Sequence, residues 1–198
     1  MHYSTDMAKI PWKAVLSPAD PDIVLLQRIA EQDEDALGKL YQQYAHGLLV
    51  YLSERLGDVR LAEEVLQDVM LAVWRNAPRF RGECRVRTWL LAIARNRAIN
   101  AFHRQIRPTA LESHLEDPEP VQREEKVDRY DDLQAAFQAL PVEQRETLEL
   151  VFYHGLSLQE TALVLKIAPG TVKSRLHRAK ARLRDLINRG SEPDDLPY

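Results

Sequence analysis

From Asp22 to about Ile106 apolar residues recur every three or four positions, the period of an amphipathic helix. Two interruptions stand out, Gly57-Asp58 and the stretch NAPRFRGECRV from Asn76 to Val86. Helical periodicity returns near Tyr130 and lasts to about Asn188. Between these spans, RPTALESHLEDPEPVQREEKV (Arg107 to Val127) holds three prolines and many acids, a linker composition. No segment alternates polar and apolar residues with turn spacing, so no strand is predicted. The pattern predicts an all-α fold of two small helical domains, at 22–107 and 130–190. An acidic flexible linker at 108–129 joins them, with loose ends at 1–21 and 191–198.

The second domain carries the sharper signals. Pro141 opens a helix in LPVEQRETLELVFYHG, and Gly155 stops it. Ser157 is a good N-cap, and Glu160 three residues on completes a capping box. The short helix that follows runs to about Leu165, and Lys166-Ile167-Ala168 makes a turn. Pro169 fits the first turn of the next helix, where its missing N–H costs nothing. There Val172, Leu176, Ala179 and Leu183 form one apolar stripe, and Thr171, Lys173, Ser174, His177 and Arg178 lie opposite. This is the layout of a helix-turn-helix, whose second helix docks by its stripe and offers its polar side to the major groove. A plain amphipathic hairpin is the alternative. The turn places Lys166 where such motifs often carry Gly, at a cost of about 1 kcal/mol if φ is positive.

Two helices of the first domain show faces that are not purely polar. In LAEEVLQDVMLAVWR, Ala62, Val65, Leu66, Val69 and Val73 make the core stripe. The other side mixes Glu64, Gln67, Asp68 and Arg75 with Leu71 and Trp74, which points to a protein partner unless another helix covers those two. In RTWLLAIARNRAINAFHRQ, Leu91, Ala94, Ala98 and Phe102 are the expected core stripe. Opposite lie Trp89, Ile93, Asn96, Asn100 and His103, with Arg97 and Arg104 beside them. An aromatic can stack on an unpaired base while Asn and Arg bond base edges and backbone, which suits strand-separated DNA. Ordinary core packing would equally place Trp89. The basic, Gly-containing loop from Arg79 to Val86 could wall a pocket for a flipped base.

Charge is segregated in a way that the net value of −3 conceals. From Arg79 to Arg107 eight arginines face one acid, Glu83, and from Lys166 to Arg189 eight Lys or Arg face Asp185. Glu112 to Asp132 holds nine acids and three bases. Two basic patches across an acidic connector predict two contacts with a polyanion. The single cysteine, Cys84, excludes a disulfide framework, and the six scattered histidines show no metal-ligand spacing. No P-loop pattern occurs, no apolar run approaches membrane-spanning length, and the N-terminus has no apolar signal region. The expectation is a cytoplasmic protein without metal, cofactor, small-molecule substrate or membrane insertion.

The order of these features resembles the extracytoplasmic-function (group IV) sigma factors of bacterial RNA polymerase, over about Asp22 to Leu186. AEEVLQDVMLAVWR is similar to conserved region 2.2 and FRGECRVRTWLLAIARNRAIN to regions 2.3 and 2.4. LPVEQRETLELVFYHGLSLQETALVLKIAPGTVKSRLHRAKARL is similar to region 4, a long match. The resemblance implies that Glu64, Gln67, Asp68, Leu71 and Trp74 meet the β′ clamp helices of core polymerase. It implies that Phe80, Trp89, Asn96, Arg97, Asn100 and His103 hold the melted −10 element. Thr171, Lys173, Ser174, Arg175, His177 and Arg178 would read the −35 element, with the second domain at the β flap. An anti-sigma factor that occludes both domains is expected, with regulation coming from outside the chain.

Two other classes stay open on the residues alone. A stand-alone helix-turn-helix regulator explains the second domain but not the two mixed faces of the first. It would need a dimerisation seam, and no heptad is visible. An enzyme built on Cys84 and His103 lacks an oriented third group, so no catalytic residue is assigned.

Overall fold

A computed structural model of the chain describes residues 20–106 and 129–190. The expected N-terminal tail (but for its last two residues), the acidic linker (but for its last residue) and the C-terminal tail lie outside them. Among the described residues every regular element is helical. The described residues fall into two compact units, 20–106 and 129–190.

The first unit is a four-helix assembly: α1 (Pro21–Ala30), α2 (Glu34–Leu56), α3 (Val59–Asn76) and α4 (Val86–Ile106). Aspartates start three of them. The Asp20, Asp33 and Asp58 carboxylates accept from the amides of Asp22 (3.0 Å), Ala36 (3.0 Å) and Arg60 (2.8 Å). Each satisfies a donor that the first turn of a helix leaves unpaired. Gly57, at φ 68°, ends α2 in the left-handed region that glycine tolerates. The break between α1 and α2 is one that periodicity alone did not show. It contains neither Gly nor Pro, and Gln32 takes φ 67° there. Arg28 closes over the break, its Nε donating to Asp33 Oδ2 at 2.8 Å. The Ala36 amide and the Arg28 guanidinium hold the Asp33 carboxyl below its ordinary range. Asp22 ties α1 to α2 by accepting from Gln43 Nε2 (2.8 Å) and from the Tyr44 hydroxyl. Burial and that carboxylate push the Tyr44 phenol up.

The core lies where α2, α3 and α4 meet: Leu40, Leu52, Val65, Val69, Val73, Leu90, Leu91 and Ala94 are all fully buried. Each large apolar side chain so buried contributes on the order of 1.5–3 kcal/mol. The expected stripe of α3 is buried in full. That of α4 needs one correction. Leu91, Ala94 and Ala98 are buried, but Phe102 is 50% exposed, and the inward place belongs to Ala101 at 2%. Leu91, Ala94, Ala98 and Ala101 follow the heptad spacing of a packed seam, and Phe102 falls on its flank.

The second unit comprises α5 (Arg129–Gln138), α6 (Val142–Leu148), α7 (Leu158–Leu165) and α8 (Pro169–Gly190). α6 runs on into a π-helical turn, Glu149–Tyr153, and Gly155 at φ 63° ends it. Both halves of the Ser157–Glu160 capping box form, with Glu160 N–H to Ser157 Oγ at 3.2 Å and Ser157 N–H to Glu160 Oε2 at 3.0 Å. α7 closes with Lys166 in the left-handed region, φ 57°. The Ile167 amide reaches back to the Ala162 carbonyl (3.1 Å) and the Lys166 amide to that of Leu163 (3.2 Å), the Schellman pattern that a Gly usually serves. The core of the unit joins Leu140, Leu148 and Ala179 with Phe137, Leu176, Leu183 and Leu186.

Candidate functional site

Three surfaces carry the predicted functional side chains, one on α8 and two on the first unit.

α8 lies on α6 and α7 through the predicted stripe: Val172 and Ala179 are fully buried, Leu176 and Leu183 partly. That docking turns Lys173, Ser174, His177 and Arg178 to solvent, with Thr171 half-buried beside them. The Ser174 hydroxyl donates to the Thr171 carbonyl at 3.0 Å, which leaves its lone pairs outward. The face is thus two cations, a hydroxyl and an imidazole, all accessible to an anionic partner. Arg175 is placed differently. Its side chain is only 18% exposed, and Nη2 lies 2.7 Å from Glu143 Oε2 on α6.

On α4, Asn100 and His103 are exposed, and Trp89, Asn96 and Arg97 are half-buried. The Trp89 indole lies against Phe80 with ring centroids 5.1 Å apart at 53°, so the loop before α4 and the first turn of α4 share an aromatic pair. Arg79, Arg81, Arg85 and Arg87 line this end, all exposed, and Gly82 makes the loop bend at φ 67°. His103 stands edge-on to Phe102, 6.4 Å between rings. The loop and α4 therefore bring all six predicted −10 residues onto one element and its approach, within the basic stretch from Arg79 to Arg107.

The third surface is the outer face of α3. Glu64 and Gln67 are exposed, Asp68 and Trp74 half-buried, and Leu71 is 52% exposed. Leu71 and Trp74 line an open groove of about 570 Å³ with Gln67, Met70, Glu34, Leu37 and Tyr41. The last three come from α2 and were not anticipated. Their spacing of three and four residues puts them on one stripe of α2, a signal legible once α2 is known to flank α3. Arg104 Nη2 lies 3.8 Å from Asp68 Oδ2, where the basic face of α4 meets the acidic edge of α3. Among the described residues no group of His, Cys, Asp or Glu is placed to hold a metal ion, and no helix is long and apolar enough to cross a membrane.

A four-helix unit with a basic aromatic face and a separate helix-turn-helix unit define a two-part reader of DNA. The family models agree with that division: Sigma-70 region 2 matches residues 40–107, and Sigma-70, region 4 matches residues 130–183. The ECF RNA polymerase sigma factor SigM of Mycobacterium tuberculosis is 37% identical over 170 residues, 84% of each chain. The ECF sigma factor RpoE of Cereibacter sphaeroides is 33% identical, over 82% of this chain and 92% of its own. The solved structure of the sigma factor RpoE in complex with the anti-sigma factor NepR from Bartonella quintana shares the fold. Its TM-score is 0.62 at 23% identity, over 76% of this chain and 96% of that one. The chain belongs to the ECF RNA polymerase sigma factors of the sigma-70 family. Such a factor is an initiation subunit, not an enzyme: it binds core polymerase and directs promoter recognition. The stand-alone regulator and the Cys84–His103 enzyme are set aside on this ground.

Proposed function

We propose a division of labour among the three surfaces. The α3 groove receives the β′ clamp helices of core polymerase: Leu71 and Trp74 offer apolar area, and Glu64, Gln67 and Asp68 orient a basic partner around it. The loop and α4 hold the separated −10 strand, with Trp89 and Phe80 as the stacking pair and Asn96, Arg97, Asn100 and His103 as polar contacts. On the second unit, Thr171, Lys173, Ser174, His177 and Arg178 read the −35 duplex, and the unit docks at the β flap. Melting is then driven by binding energy spent on unpaired bases, with no nucleotide hydrolysis. Residues 22–107 and 130–190 are the two functional domains. An anti-sigma factor is the proposed regulator, since a neighbour of the same fold is a sigma factor bound to one. The proposed location is the cytoplasm, where polymerase is.

The observation that carries this reading is Leu71, a large apolar side chain half open to solvent beside a groove and among acids. The test is a pull-down of the full chain with purified bacterial core polymerase, followed by run-off transcription from a genomic fragment library. Binding together with new defined start sites supports it, and aligning those starts gives the two promoter elements. Specific duplex binding by the chain alone, without core, overturns it.

A further inference from the structure

We infer that Arg175 is a positioning residue, not a DNA reader: its ion pair with Glu143 fixes the angle of α8 on α6 and so aims the exposed face of α8. This rests on the reading of α8 as the −35 reader.

At about 100° per residue, Arg175 lies about 60° from the line of Val172, on the shoulder of the buried stripe. Thr171, Ser174 and Arg178 lie further round, and of these Ser174 and Arg178 are exposed. The same helix therefore carries two arginines of different environment: Arg178 at the surface, Arg175 at 18% with its guanidinium 2.7 Å from a carboxylate. To reach a base edge or phosphate, Arg175 would have to leave that partner.

The partner is well anchored. Glu143 lies in the first turn of α6, where the helix dipole favours a carboxylate. The Pro141 carbonyl accepts from the amides of Gln144 (2.9 Å) and Arg145 (3.0 Å), which closes that turn. The Thr147 hydroxyl donates to the Glu143 carbonyl at 2.7 Å. The Glu143 backbone is thus fixed, and its exposed carboxylate is held from one side by Arg175. Beside the pair lies the apolar core of the unit, where Leu148 of α6 meets Ala179 and its neighbours on α8. Apolar packing is non-directional and leaves rotation and sliding soft, whereas an ion pair ties one point of α8 to one point of α6, here at 2.7 Å. One such tie at the edge of an apolar contact sets the helix angle.

The test uses the full chain assembled with bacterial core polymerase. Its DNA is a duplex promoter fragment recovered from the run-off selection, and a copy with a scrambled −35 element. Dissociation constants are measured across salt for Arg175→Ala, Glu143→Gln, the double variant and Arg178→Ala. Glu143 is 69% exposed, so its isosteric replacement leaves the fold intact. Arg175→Ala and Glu143→Gln should each weaken promoter binding by about fivefold, the upper worth of one exposed pair. Both should narrow the preference over the scrambled copy and keep the salt slope, and the double variant should be no weaker than the worse single one. Arg178→Ala should weaken binding and flatten the slope, since a DNA contact is lost. The inference is overturned if Arg175→Ala flattens the slope as Arg178→Ala does while Glu143→Gln tightens binding, because Glu143 would then be competing with DNA for a reader. Unchanged affinity in both Arg175→Ala and Glu143→Gln, with Arg178→Ala impaired, overturns it equally. If Arg178→Ala is itself without effect, the placement of α8 on the −35 element fails.

Discussion

Replacing Leu71 by Ala removes apolar area from the α3 groove and nothing else. The side chain is 52% exposed, so about half of its area is available for a partner to bury. Full burial of a Leu is worth about 1.5–3 kcal/mol, and half of that is about 0.75–1.5 kcal/mol. Affinity for core polymerase should therefore fall by about three- to twelvefold. The free chain loses little, because the part of Leu71 already covered rests on a groove wall rather than in the core, and its melting temperature should stay within a few degrees. The assay is competition binding of labelled and unlabelled chain on purified core polymerase, with thermal unfolding run on the same preparations. Full affinity combined with a clearly lowered melting temperature would refute the reasoning. It would mean that Leu71 belongs to the interior and that the groove closes in solution.

Other outcomes follow from the same geometry. Trp89→Ala should lower the permanganate reactivity of the melted promoter in the assembled polymerase. A lost base stack costs about 1–3 kcal/mol, and unaltered melting with a destabilised chain would make the Trp89–Phe80 pair a packing feature only. Lys166→Gly should stabilise the chain by up to about 1 kcal/mol in chemical denaturation, since it relieves a left-handed residue at a Schellman end; a loss of stability would refute this. The lowered pKa of Asp33 sets a pH window. The group stabilises the fold above its ordinary value of 3.8, and this is lost as pH falls through the lower folded value. Asp33→Asn should flatten that acid limb of the melting curve, and an unchanged limb would show that Asp33 does not govern it.

Local signals in the sequence carried the architecture far. The capping box at Ser157 and Glu160, the strained place of Lys166 and the stripe from Val172 to Leu183 depend on neighbours within one turn, so spacing alone reveals them. α3 was equally legible, because its β-branched residues repeat on one side with little ambiguity. Features that need a second helix were not. Phe102 looks like a core residue to any hydrophobicity ranking, yet close packing of α4 favours the small Ala101, and the ring is left at the flank. Leu37 and Tyr41 complete a groove only because α2 lies beside α3. The partner of Arg175 sits on another helix far away in sequence, so the family resemblance placed that arginine among the −35 residues with nothing in its own helix to show the ion pair. The break before Asp33 has no Gly or Pro, and its signal is a cap that many surface aspartates could mimic.

The charge layout explains why such a chain acts through polymerase. Screening at physiological salt limits each charge to a range of about 8 Å. Within that range the α4 face and the outer face of α8 attract DNA, and the edge of α3 repels it. Beyond it only the sum counts, and the sum is −3. A negative total gives no long-range steering toward a polyanion, so the free chain gains little from a random encounter with DNA. On the proposed division of labour, core polymerase at the acidic α3 edge covers that repulsive surface and delivers the two basic faces at short range. The −3 total then no longer governs the encounter, and the proposed contacts at α4 and α8 decide which sequence is held.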